Sequence, residues 1–171
     1  MYKDNKHHNQ PVLICSVNEL PEEQREYLDT SWAGVFYREF FCRLNEDPFA
    51  VLYANMPSRP NYPVNVLVGL EYLKAGFGWS DKEMYEAFLY NMQVRYALGY
   101  DEFGKGYFDL RTLYYFRERL SRYMQEQGIN LLDQAFEQVT DQQIVAFQIK
   151  TKLQRMDSTQ VGSNIRRIGR V

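Results

Sequence analysis

Four side chains between residues 111 and 122 have types and spacing suited to gripping an anion. At about 100° per residue, Arg111, Tyr115, Arg119 and Arg122 fall within roughly a quarter turn of one another on a helix. Leu113, Phe116, Leu120 and Met124 fall on the opposite side. Guanidinium groups along one wet helix face grip phosphates, or read guanine edges when the helix enters a major groove. Most surface helices also carry arginines on their solvated face, and the pattern by itself favours that plainer reading. Both readings stay open on the residues alone.

A second candidate is Met156-Asp157-Ser158-Thr159. An acid at the end of a strand, followed by hydroxyl side chains, offers a carboxylate oxygen to Mg²⁺. Two such ions activate a nucleophile and stabilise the leaving oxygen in phosphodiester chemistry. That machinery needs further carboxylates, and residues 150–171 hold Asp157 alone. Asp-Ser-Thr by itself is more often a turn or cap. His7 and His8, as chain neighbours, diverge in any regular backbone and have no third ligand nearby. No nucleophile elbow, phosphate-binding glycine loop or zinc spacing occurs in the chain.

The elements that must carry these residues read as helices. The first 17 residues look loose or extended, and Pro21-Glu22-Glu23 suits the first turn of a short helix. Ser31 caps a helix with Trp32, Phe36, Phe40 and Leu44 on its apolar stripe, ended by Asp47-Pro48. A proline-punctuated segment from Met56 to Pro63 is extended, because residues before proline avoid the helical region. Pro63 opens the next helix, with Val66, Leu67, Leu70 and Leu73 inside and Gly76-Phe77-Gly78 as its end. Ser80-Asp81-Lys82-Glu83 is a capping box, and the pattern behind it runs on to Gly99. After a loop from Tyr100 to Gly106, Asp109 caps the arginine-bearing helix, which runs to about Gln127. Two shorter helices precede it, as they precede the recognition helix of a helix-turn-helix unit. A further helix covers 129–147, and the alternation of Ile149, Thr151, Leu153 and Arg155 predicts a strand at 150–157.

Composition bounds the function classes. The chain has 171 residues, 45% of them hydrophobic and 16% aromatic, enough to bury a core. Net charge is −2, which excludes a uniformly basic nucleic-acid binder. The distribution is uneven, with six basic side chains against one acid in residues 150–171. Cys15 and Cys42 lack metal-ligand spacing and suit a reducing cytoplasmic compartment. No apolar run approaches the ~20 residues of a membrane span, and Met1 to Gln10 carries no signal-peptide region.

The stretch Arg59-Pro60, Leu67, Leu70, Ser80-Asp81-Lys82-Glu83, Asn91 and Arg95-Tyr96-Ala97-Leu98-Gly99 resembles the InsH-type N-terminal domain of bacterial insertion-sequence transposases. Phe108-Asp109-Leu110-Arg111-Thr112-Leu113, Phe116-Arg117 and Leu120 resemble that domain's closing helix, so the likeness runs from about Asp47 to Met124. Leu153 to Thr159 resembles the first strand of the RNase-H-like catalytic domain of DDE transposases. The resemblance implies that Asp157 is the first of three metal-binding acids, with Mg²⁺ the metal of the full-length protein. It implies that the chain stops before the other two, holds no cofactor as this fragment and is not an enzyme alone. It implies a partner in DNA, at the terminal inverted repeats of the element, with self-association in a paired-end complex as the alternative role. A regulatory or degenerate product is a further alternative. Arg111, Tyr115, Arg119 and Arg122 become the expected DNA face, with Arg166, Arg167 and Arg170 as phosphate contacts.

The expected fold is mainly α. A compact helical domain with a helix-turn-helix-like unit occupies 18–140, behind a loose tail at 1–17. The C-terminal strand within 141–171 then begins a truncated RNase-H-like domain.

Overall fold

Side-chain caps set the starts of four helices in the computed structural model, which describes residues 1–6, 16–54 and 60–151. Helix α1 spans Glu22–Thr30 and α2 spans Trp32–Glu39, with Ser31 between them accepting from the Ala33 amide. Helix α3 spans Val64–Phe77 and ends on Gly78 at φ 68°, the left-handed conformation that glycine enters at no steric cost. The Ser80–Glu83 capping box opens α4, Asp81–Tyr90. Helix α5 is Met92–Ala97, α6 is Arg111–Gln127, and α7, Leu131–Ala146, is capped by Asn130.

Where sequence periodicity runs continuously from Ser80 to Gly99, the chain breaks at Asn91. Its side chain accepts from the Gln93 and Val94 amides while its backbone is extended, so α5 starts afresh at an angle to α4. The apolar stripe from Trp32 to Leu44 is divided in the same way. Helix α2 stops at Glu39, and a 3-10 turn at Phe41–Arg43 carries the rest. A second 3-10 helix, Asp47–Leu52, places Pro48 in its first turn, where the missing N–H costs nothing.

Helix α3 forms the centre. Val64, Val66, Leu67, Val68, Leu70 and Leu73 are all buried, so this helix is apolar on every side for most of its length. Helix α4 packs on α3 and α5, α2 lies along α5, and α1 folds back on α2. Gly34 makes that last fold possible, because a Cβ there would sit 1.9 Å from the Asp29 carbonyl oxygen. The α3 N-terminus is closed by Glu46, a buried carboxylate that accepts from the Asn65 amide at 3.2 Å and the Asn5 amide at 3.0 Å. Burial raises its pKa, and those amide contacts oppose the shift.

Helix α7 is anchored on one face, near both of its ends. Leu131, Ala135 and Val139 are buried, the Tyr72 hydroxyl donates to the Leu132 carbonyl at 2.7 Å, and Gln143 donates to the Glu39 carbonyl at 2.7 Å.

The fold-class expectation needs a correction: no strand occurs among the described residues. Gln148 adopts φ 53°, its amide donates to Val145, and the Ile149 amide donates to Ile144. That hydrogen-bond pair is a Schellman helix end. The alternation that begins at Ile149 therefore starts on the closing turn of α7, and Lys150 and Thr151 follow it without strand pairing. Leu153, Arg155 and Asp157 lie outside the described residues. The strand is withdrawn, and the described fold is helical throughout.

Candidate nucleic-acid interface

Helix α6 rests on the core through Leu113 and Phe116, both buried, which turns the opposite face to solvent. Arg111, Tyr115, Arg119 and Arg122 are all exposed there. From Arg111 to Arg122 the face extends about 17 Å at 1.5 Å per residue. Met124, expected on the apolar side, is 45% exposed, because core contact on that side thins out beyond Leu120 and Tyr123.

The three arginines have different neighbours. Arg111 forms a two-pronged contact with Asp109, at 3.1 and 3.0 Å, which lowers the Asp109 pKa and raises that of Arg111. Arg122 pairs with Glu118 at 2.9 Å. Both pairs are solvent-exposed, so their net attraction is weak and a phosphate competes with them readily. Arg119 has no ion pair among the described residues. Its guanidinium lies 4.9 Å from the centroid of the Tyr53 ring, a cation–π contact. Burial raises the Tyr53 pKa, and Arg119 opposes that rise.

Arg117 belongs to a separate system that fixes α6 in place. Its guanidinium meets Asp81 of α4 with both terminal nitrogens, at 2.8 and 2.7 Å, and Glu71 of α3 with Nε at 2.6 Å. Lys74 adds a contact to Asp81 at 2.8 Å. The Arg117 and Lys74 side chains hold the Asp81 carboxyl well below the usual carboxylate range. Three helices thus meet at one carboxylate, and the arginine face cannot rotate independently of the core.

Beside this face lies a half-open groove of about 480 Å³. Tyr115, Arg119 and Arg122 form one wall, Leu52 and Tyr53 from the 3-10 helix another, and Asn61 and Tyr62 a third. Asn61 is locked by Lys3, whose amide donates to its side-chain oxygen at 2.6 Å.

The loop leading into α6 has its own anchor. Arg95 is 2% exposed and donates to the carbonyls of Phe88, Glu102 and Lys105, with its guanidinium beside the Phe88 and Tyr100 rings. Burial lowers its pKa. The Tyr62 hydroxyl donates to the Gly106 carbonyl at 2.6 Å and meets the Tyr100 hydroxyl at 2.9 Å. Gly106 has φ 69°, and a Cβ there would strike the Tyr100 ring at 2.3 Å. Sequence reasoning missed Arg95, Tyr53 and Tyr62 as organisers, since a lone arginine or tyrosine carries no spacing signal. Arg117 did carry one. It lies four residues after Leu113 and one after Phe116, next to the apolar stripe, where an unpaired charge is costly.

Residues 98–110 separate α5 from α6, far longer than the three- or four-residue turn of a helix-turn-helix. A tight turn, Gly78-Trp79-Ser80, does join α3 to α4. On helix α4, however, Asp81 is taken up by Arg117 and Lys74, and the exposed Glu83 and Glu86 outnumber Lys82, so this helix offers phosphate no basic face. Arg166 and Arg167 lie outside the described residues, as do Asp157 and the His7-His8 pair. Among the described residues no group of three His, Cys, Asp or Glu side chains is placed to hold a metal ion. No described helix is long and apolar enough to cross a membrane.

Residues 30–119, from the end of α1 into the middle of α6, match the family described as Transposase domain (DUF772). No curated protein and no solved structure matches the chain.

Proposed function

The chain belongs to the transposase domain (DUF772) family, and from that premise we propose that its α6 face binds the DNA ends on which transposition acts. The observation that carries this is the exposure of Arg111, Tyr115, Arg119 and Arg122 along one side of a helix locked to the core by Arg117. A rigid helix loses little conformational freedom on docking, and weak surface pairs release their arginines to phosphate at small cost. The substrate is double-stranded DNA at the terminal inverted repeats of the element. The chain's role is recognition and assembly in support of strand-transfer chemistry, for which Mg²⁺ is the expected metal.

Fluorescence anisotropy tests this with one duplex carrying the terminal repeat and one of scrambled sequence. Repeat-selective binding, reduced in the Arg111→Ala/Arg119→Ala protein, supports the assignment. Selective binding untouched by that double substitution moves the interface off α6, and absence of binding removes the DNA role.

A second reading has its own observation. Val145, Phe147 and Ile149 are exposed at the C-terminal end of α7. They suit self-association of the chain within a paired-end complex. Light scattering that shows mass rising with concentration, without any DNA shift, would favour that role over the first.

A further inference from the structure

We infer that the groove beside α6 receives an unpaired DNA nucleotide, its base laid against Tyr53 and its phosphate held by Arg119 and Arg122. This rests on the DNA-end reading and adds a substrate feature to it.

The shape of the site separates it from an ordinary duplex contact. Proteins read paired bases by sending a convex helix or ribbon into a groove of the double helix. Here the surface is concave, and about 480 Å³ lies within the range of roughly 300–1,000 Å³ for pockets that enclose a small ligand. A stacked base pair cannot enter such a slot, whereas a base out of its stack can.

The lining matches that ligand. Tyr53 and Tyr115 present aromatic rings, and stacking on an aromatic side chain is the sequence-tolerant way to hold a single base. Leu52 and the inner edge of Phe116 supply apolar contact. Arg119 and Arg122 lie about one helical turn apart on the same wall, two guanidinium groups that can pair with the phosphate of a base laid against Tyr53. Tyr62 adds a fixed wall rather than a donor, because its hydroxyl is committed to Gly106.

The walls of the groove are held in place, and Arg119 is the group that yields to the base. Arg119 already lies over the Tyr53 ring, the Asn61 wall is tied to Lys3, and Tyr62 packs 4.7 Å from Phe108. A guanidinium on an aromatic face is the arrangement into which a base inserts by exchanging one π contact for another. The duplex backbone then runs along the outer arginines while a nucleotide at a nick, overhang or mismatch drops into the groove.

The test compares three probes by anisotropy: a fully paired repeat duplex, the same duplex with one unpaired base, and the same duplex with a short single-stranded overhang. The wild-type chain is expected to prefer the unpaired probes by about fivefold, the low end of what one stacked base contributes. Tyr53→Ala and, separately, the exposed-site change Tyr115→Ala should each bring that ratio towards one, while Tyr53→Phe keeps it. The readout is a ratio, so a general loss of affinity does not imitate the result. Tight binding with a wild-type ratio near one overturns the groove assignment and leaves the duplex reading standing. A fivefold ratio that survives both alanine variants also overturns it, since the unpaired base then sits elsewhere. Failure to bind any probe removes both readings together.

Discussion

Arg117 of α6 and Asp81 of α4 meet as a fork, two terminal nitrogens on two carboxylate oxygens at 2.8 and 2.7 Å. Both side chains are 27% exposed, between the surface and the interior. Exposed pairs contribute about 0–1 kcal/mol, whereas removing one partner of a buried pair costs about 3–5 kcal/mol. Arg117→Ala should therefore lower unfolding free energy by about 2 kcal/mol in urea denaturation. A loss below roughly 0.5 kcal/mol, the level of an ordinary surface pair, contradicts the claim that this fork fixes α6.

The same carboxylate predicts an acid limb. Asp81 has a folded-state pKa depressed by Arg117 and Lys74, so the unfolded chain takes up its proton first as pH falls. Its stabilisation is complete above the unfolded value near ~3.9 and is lost as pH drops through the folded value. Stability measured from pH 6 down to pH 2 should fall more steeply in the wild type than in Asp81→Asn. Parallel curves would show that Asp81 is not the group responsible.

Two glycines offer a paired test of packing. An alanine Cβ at Gly34 would meet the Asp29 carbonyl oxygen at 1.9 Å, and backbone cannot step aside as a flexible side chain can. Gly34→Ala should cost at least about 3 kcal/mol, the upper end of usual overpacking penalties. Gly76, inside α3 with nothing within 4 Å of its would-be Cβ, should gain about 0.5–1 kcal/mol on substitution by alanine. Thermal melts of the two variants should move in opposite directions.

Arg95 provides a prediction about the loop before α6. Its removal leaves the carbonyls of Phe88, Glu102 and Lys105 without their donor, at about 1–3 kcal/mol for each one that water cannot reach. Lysine at this site carries a single ammonium and cannot span all three. Hydrogen exchange in Arg95→Lys should accelerate across residues 100–107 before the rest of the chain, and unchanged protection there would contradict the anchoring role.

How far this was legible follows from what leaves a periodic trace. The α3 stripe, the Ser80–Glu83 capping box, the stop at Gly78 and the wet face of α6 are local patterns, and each is present in the fold. Asn91 was harder, because a cap inside an apolar pattern looks like one polar residue in a longer helix. The strand expected at 150–157 arose from alternation that begins on the last turn of α7, where period two and a helix end are indistinguishable over so few residues. The groove was invisible, since Tyr53, Tyr62 and Tyr115 come from separate elements and meet only in the folded chain.

The most direct test of the α6 face is the salt dependence of DNA binding in the wild-type chain and in an Arg111→Ala/Arg119→Ala/Arg122→Ala variant. On a fully paired duplex, where each arginine meets its own phosphate, the slope of log K against log salt should flatten by about 0.9 per arginine removed, or roughly 2.7 for all three. That change, in a variant with unaltered helix content, is the predicted result. An unchanged slope in a folded variant would contradict the account, because the phosphates would then be held by some other surface.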